Sequence, residues 1–155
     1  MEDRYKSRIV VDLLILRKNK AEEGEILLAL RKNTGYEDGN YELPGGHVEE
    51  GEDLFEAAIR EAEEELKIKI ERNELRIAHI LHHYKGGSLK FTLRVNKYDG
   101  KIEIGEPDKC EELKWFRIKD LPENMIERVR KVIIEIYKDV SYDNSDFINF
   151  QKMVN

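Results

Sequence analysis

One cysteine, three prolines and one tryptophan are all that 155 residues carry of those types. Cys110 cannot close an internal disulfide and has no Cys or His at zinc-ligand spacing, which excludes a disulfide scaffold and leads us to expect a reducing, cytoplasmic setting. Long apolar runs are missing too. The stretch Ile9 to Leu16 is interrupted by Asp12 and follows polar and charged residues, so neither a membrane span nor an export signal is expected. Cationic excess is absent: 27 Lys and Arg stand against 33 Asp and Glu, a formal charge of −6. Counterion release therefore gives no drive toward polymeric nucleic acid, although a small anion remains a feasible ligand if a cation mediates the contact. No glycine-rich loop ends in Gly-Lys-Ser/Thr, which excludes a P-loop nucleotidase. No repeat, low-complexity tract or Pro-rich linker divides the chain, so residues 1–155 are expected to form one domain.

What the chain does contain reads as an α/β protein. A β-branched run from Ile9 to Leu16 predicts a buried strand, and Glu25 to Arg31 a second one beside it, with a turn at Lys18 to Gly24. Asn33 to Asn40 reads as an irregular loop, and Leu43-Pro44-Gly45-Gly46 as another. Further strands are expected at Leu75 to His83, Ser88 to Val95 and Leu113 to Ile118. A second helix is expected from about Pro122, with apolar positions at Met125, Ile126, Val129, Val132, Ile133 and Ile136. The tail from Ser141 shows no clear period, and packing on the domain and formation of a homodimer both remain open for it.

From Asp53 to Leu66 there is no Gly, Pro or Thr, and propensity favours a helix. At about 100° per residue, Leu54, Phe55, Ala58, Ile59, Ala62 and Leu66 share one face. Glu61 and Glu65 fall at its margin one turn apart, with Glu64 a little further round. Carboxylates crowded at a core boundary repel one another and need a cation or protons. Magnesium meets that need with oxygen ligands. Arg60, beside Glu61 and one turn from Glu64, is placed to hold a carboxylate through its guanidinium fork. Gly45 and Gly46 let the backbone approach a metal or phosphate, and Glu52 suits either the positive helix N-terminus or the site itself. A run of this kind is also what a solvated amphipathic helix looks like; the glycine loop at a fixed distance decides for a site.

The spacing resembles the signature of the Nudix hydrolase family: Gly46, five residues, Glu52, seven residues, Arg60-Glu61, Ala62, one residue, Glu64-Glu65, one residue, Lys67, Ile68. Two positions depart from it. Ala62 is smaller than the usual aliphatic residue, and Lys67 stands where the family has glycine, at a helix end where a left-handed conformation is expected to cost a non-glycine residue about 1 kcal/mol. Leu43-Pro44-Gly45-Gly46, the Trp115-Phe116 strand and the order of elements extend the likeness over most of the chain.

The resemblance implies an α/β/α sandwich with a mixed β-sheet and Mg2+ or Mn2+ as cofactor. By position it makes Glu61, Glu64 and Glu65 metal ligands, one of them serving as base toward water, with the Gly46 or Gly45 carbonyl completing the shell. Arg60 would orient the glutamates and Glu52 contribute less directly. Bound metal and carboxylates supply what phosphoanhydride hydrolysis needs: charge neutralisation, an activated water and in-line positioning. The stretch from Gly105 to Phe116 is similar to MutT-type members that release a nucleoside monophosphate and pyrophosphate, and Glu106 is its candidate for an added carboxylate, against a plain role in a solvated turn. Gly45, Gly46 and His47 are candidates for phosphate contact. One of His82 and His83 could touch a base, against a plain strand-end role, and Tyr41, Phe91 or Trp115 could stack on one, although core packing is the expected role for each. The expected partner is a small nucleotide. A nucleoside diphosphate linked to another group, such as ADP-ribose, is the rival substrate; a nucleotide sensor would be expected to have lost ligands that this chain keeps.

Overall fold

The computed structural model describes residues 3–144, and the tail residues Phe147, Ile148 and Phe150 lie outside the described part. Strand β1 (Arg8–Lys18) is the organising element. Its residues alternate between two cores: Val11, Leu13 and Ile15 join the cluster under one helix, and Leu14 and Leu16 the cluster under the other. Helix α1 (Leu54–Leu66) covers the first face and α2 (Glu127–Tyr137) the second, which makes the α/β/α sandwich.

The sheet is mixed. Strand β6 (Ser88–Val95) runs parallel to β1, and β5 (Leu75–His83) antiparallel to β6. On its other edge β1 has two partners in succession. Val10 to Asp12 pair with β4 (Gly45–His47), and Leu16 to Lys18 pair with β2 (Gly24–Arg31), both antiparallel. Strand β2 continues to β3 (Tyr41–Glu42) and β7 (Cys110–Arg117). Because one edge is divided between two strands, β2 departs from β4, and a cleft lined by Asp12, Leu30 and Gly45 lies between them.

Two sequence expectations are corrected, for the diglycine and for the start of α2, and the alternative left open at Glu52 is decided. The diglycine is not an irregular loop: it forms β4, because β1 offers it an unpaired edge. Glu52 does not cap α1; Asp53 does, accepting the Phe55 and Glu56 amides at 2.9 Å while Glu56 returns a bond to the Asp53 amide. Helix α2 begins at Glu127 and not near Pro122, since the preceding residues run extended beside β3, with Tyr41 N–H on the Asn124 carbonyl and Ile126 N–H on that of Tyr41. Tyr142–Asp143 form a short strand β8 parallel to β5 that no periodicity announced. The left-handed helix end is as expected: Lys67 sits at φ 57° and closes α1 onto the Ala62 and Glu63 carbonyls.

Candidate active site

Pairing of β4 with β1 presses the diglycine against the sheet. A Cβ on Gly45 would stand 2.0 Å from the Val11 carbonyl oxygen, and one on Gly46 would stand 2.2 Å from Oε1 of Glu61. Only glycine permits both approaches. Helix α1 packs across this corner because Ala57, Ala58 and Ala62 are small and fully buried. Glu61 is thereby carried into contact with Gly46, and Glu65, one turn on, accepts the Gly45 amide at 2.8 Å.

Arg60 is the hub. Its guanidinium donates to Glu52 through Nη2 at 2.7 Å and Nε at 3.0 Å, to Glu61 at 3.0 Å, to Glu64 at 3.2 Å and to the His47 carbonyl at 3.0 Å. It thus ties the end of β4 to the helix and spreads three carboxylates around one cation. Glu52 also accepts the Glu49 amide at 2.7 Å, and Arg60 together with that amide holds its carboxyl below the usual range.

The electrostatics are uneven along the helix. Burial pushes Glu61 upward against the pull of Arg60. Glu65 is pushed up to about 8, by burial first, with the Gly45 amide opposing and the charges of Glu61, Glu42 and Glu106 adding to the rise. Glu106 is close enough to matter because Gly105 lies against α1: its amide donates to the Glu65 carbonyl at 2.8 Å, and a Cβ there would stand 1.8 Å from the Glu64 carbonyl oxygen. Glu106 itself pairs with Lys109 at 3.3 Å. Gly105 was not singled out in the sequence, and close packing of a loop on a helix end leaves no local pattern.

Of the expected site residues, Gly45, Gly46, His47, Arg60, Glu61, Glu64, Glu65 and Glu106 all line one open cleft of about 840 Å³. Glu52 stands behind it, reached through Arg60. Of the two histidines His83 faces the cleft, whereas His82 turns to Tyr5 and Tyr84. Of the two roles open to the aromatic rings, stacking on a base is not the one the structure favours. Tyr41 is buried with its hydroxyl on Glu112 at 2.5 Å, Trp115 packs on the α1 core, and neither these nor Phe91 line the cleft. Tyr36 does, 56% exposed, with the Arg31 guanidinium 5.4 Å from its ring centroid. The loop that presents it is ordered: Asp38 accepts the Thr34 and Gly35 amides, and Arg31 bonds Thr34, the Tyr36 carbonyl and Glu42. That Asp-centred turn was the available signal for it. Asp12 and Lys90, paired at 3.1 Å on the cleft floor, were missed as well.

The donor set suits a hard divalent cation: carboxylate oxygens of Glu61, Glu64 and Glu65 beside a glycine backbone, with more negative charge than Arg60 balances. Among the described residues no three acidic, His or Cys side chains are drawn together as a ready coordination sphere. Glu61 and Glu64 lean on Arg60, Glu65 leans on the Gly45 amide, and Glu64 is half exposed. Rotation of these side chains about fixed backbone positions is what ligation would require.

Comparison with known proteins agrees with this geometry. A model of the NUDIX domain matches residues 6–138. A Caenorhabditis elegans protein described as a nudix hydrolase is 30% identical over 129 residues, which are 83% of this chain and 34% of that protein. The chain thus spans about a third of that relative's length. The crystal structure of a MutT NUDIX hydrolase from Burkholderia pseudomallei superposes with a TM-score of 0.71 at 30% identity, covering 83% of this chain and 97% of that one. An ADP-ribose pyrophosphatase from Streptococcus suis shares the fold at a TM-score of 0.57 and 15% identity, covering 90% and 98%. With its signature glutamates gathered on the diglycine corner and the domain matched over most of its length, the chain belongs to the Nudix family.

Proposed function

We propose that this protein is a metal-dependent hydrolase that cuts a phosphoanhydride bond of a nucleoside triphosphate, oxidised or non-standard ones included, releasing nucleoside monophosphate and pyrophosphate. The observation that carries the reading is the convergence of Glu61 and Glu65 on Gly46 and Gly45. In this reading Glu61, Glu64 and Glu65, with the Gly46 carbonyl, hold Mg2+ or Mn2+. The ion, when bound, neutralises charge on the phosphate oxygens and makes a water more acidic. One carboxylate of the cluster accepts the proton of the attacking water. Arg60, braced by Glu52, keeps Glu61 and Glu64 at the corner, and Glu106 adds a carboxylate from the facing loop. Gly45, Gly46 and His47 meet the phosphates, and Tyr36 offers a face to the base.

A diphosphate-linked nucleotide such as ADP-ribose would meet the same chemistry, and the choice between the two lies in the cleft beyond the corner. The test is a phosphate-release screen over nucleoside triphosphates, oxidised nucleotides and diphosphate-linked nucleotides, with magnesium and with chelator, on the wild type and on Glu65→Gln. Turnover that needs the metal and falls on the order of 100-fold in the variant, with an unchanged melting curve, is expected. Full activity of the variant with magnesium would overturn the ligand assignment, and no turnover of any substrate would favour a sensor.

A further inference from the structure

The cations that line the cleft are each paired with a carboxylate, except at one end. Lys90 meets Asp12 at 3.1 Å, Arg31 meets Glu42 at 2.6 Å, Lys109 meets Glu106 at 3.3 Å, and Arg60 meets its glutamates. Arg8 and Arg128 also line the cleft, and among the described residues neither is paired with a carboxylate. Arg8 donates to the Gly86 carbonyl at 2.8 Å. Arg128 places Nη1 and Nη2 each 2.8 Å from the two ring nitrogens of His83. Two of the five N–H donors of Arg128 are directed at that ring, which leaves three for another acceptor. The cluster is tight: a Cβ on Gly86 would stand 2.1 Å from the His83 ring. In a chain of net charge −6, two unneutralised arginines facing one recess mark a place for an anion.

The sheet register locates this recess. Arg8 pairs with Ser88 and Ser88 with His83, so the cluster spans β1, β6 and β5 at one level. Gly46 pairs with Val11, three residues further along β1, which puts the recess about 10 Å from the diglycine corner at about 3.3 Å per residue. Consecutive phosphates of one chain do not bridge that interval, whereas a nucleoside does. We infer that Arg8 and Arg128 form a second phosphate subsite, which takes a phosphomonoester carried on the ribose of the nucleotide whose phosphoanhydride lies at Gly45 and Gly46. The inference rests on the hydrolase reading for its substrate but not for its measurement.

The test is calorimetric binding, with magnesium present, of AMP against adenosine 2′,5′-bisphosphate and adenosine 3′,5′-bisphosphate. At least one bisphosphate is expected to bind about tenfold tighter than AMP. The Arg8→Gln/Arg128→Gln double variant should reduce that preference to within about twofold while leaving AMP affinity and the melting curve unchanged. Equal affinities in the wild type, or a preference that survives in the double variant, would overturn the proposal. A protein that hydrolyses no nucleotide of the screen yet keeps the arginine-dependent preference would remove the hydrolase reading and leave the subsite standing.

Discussion

Arg60 grips Glu52 through two parallel hydrogen bonds, Nη2 to Oε1 at 2.7 Å and Nε to Oε2 at 3.0 Å, across eight positions of the chain. The fork fixes the plane of the guanidinium, and that plane decides where its remaining donors meet Glu61 and Glu64. Lysine keeps the charge but cannot reproduce the fork. Arg60→Lys is therefore expected to lower kcat by about 10- to 100-fold, the usual effect of losing a partner that orients a metal ligand. Steady-state pyrophosphate release across a magnesium titration, beside a thermal melt, reads the two effects apart; wild-type turnover in the variant would remove Arg60 from the site.

The two glycines of the corner fail differently when filled. A methyl on Gly45 meets the backbone of Val11 and Asp12, which cannot yield without opening β1 from β4, so Gly45→Ala should lose about 1–3 kcal/mol of stability. A methyl on Gly46 meets only the carboxylate end of Glu61, which can swing away. Gly46→Ala should keep its urea midpoint and lose activity. Equal loss of stability in both variants would contradict this account.

Asp53 gives stability a dependence on acid. Hydrogen bonds from Arg72 first, then from the Glu56 amide, pull its pKa down to about 2, from an ordinary value of about 3.9. A carboxylate depressed on folding stabilises above its ordinary pKa and loses that contribution as pH falls through the folded value. The melting-temperature difference between wild type and Asp53→Asn should thus be constant at neutral pH and shrink between about pH 4 and about pH 2. A difference independent of pH across that window would show that the charge contributes nothing.

Lys67 holds a left-handed conformation, φ 57° and ψ 31°, that glycine adopts without steric cost. Lys67→Gly should raise unfolding free energy by about 1 kcal/mol, measured as a higher denaturant midpoint at unchanged slope. A lower midpoint would mean that the lysine makes a compensating contact.

Helix α1 was legible in sequence because everything that defines it is local. The spacing of Glu61, Glu64 and Glu65, the apolar face from Leu54 to Leu66 and the lysine at the helix end all follow from one period of 3.6 residues. The long strands β1, β2, β5 and β6 were legible for the same reason, since apolar and β-branched runs between turns mark them. The two roles open to Glu52 were not separable in sequence because Glu52 and Asp53 are both acidic, and only the position of Arg60 separates them.

What tertiary structure alone decided is long-range. That Gly45 and Gly46 become a strand depends on a free edge of β1 more than 30 residues earlier in the chain, and that residues 124–126 stay extended depends on β3. The same holds for the choice of Tyr36 over Tyr41, Phe91 and Trp115 as the ring in the cleft, and for the presence of Arg8 and Arg128 on one cleft. The chain fixes by itself which side chains share a helix face, because neighbours three and four apart are bound to meet. Which strand edges, loops and charges face one another is set only when the whole sheet closes, since register between distant segments is a property of their pairing and not of either segment.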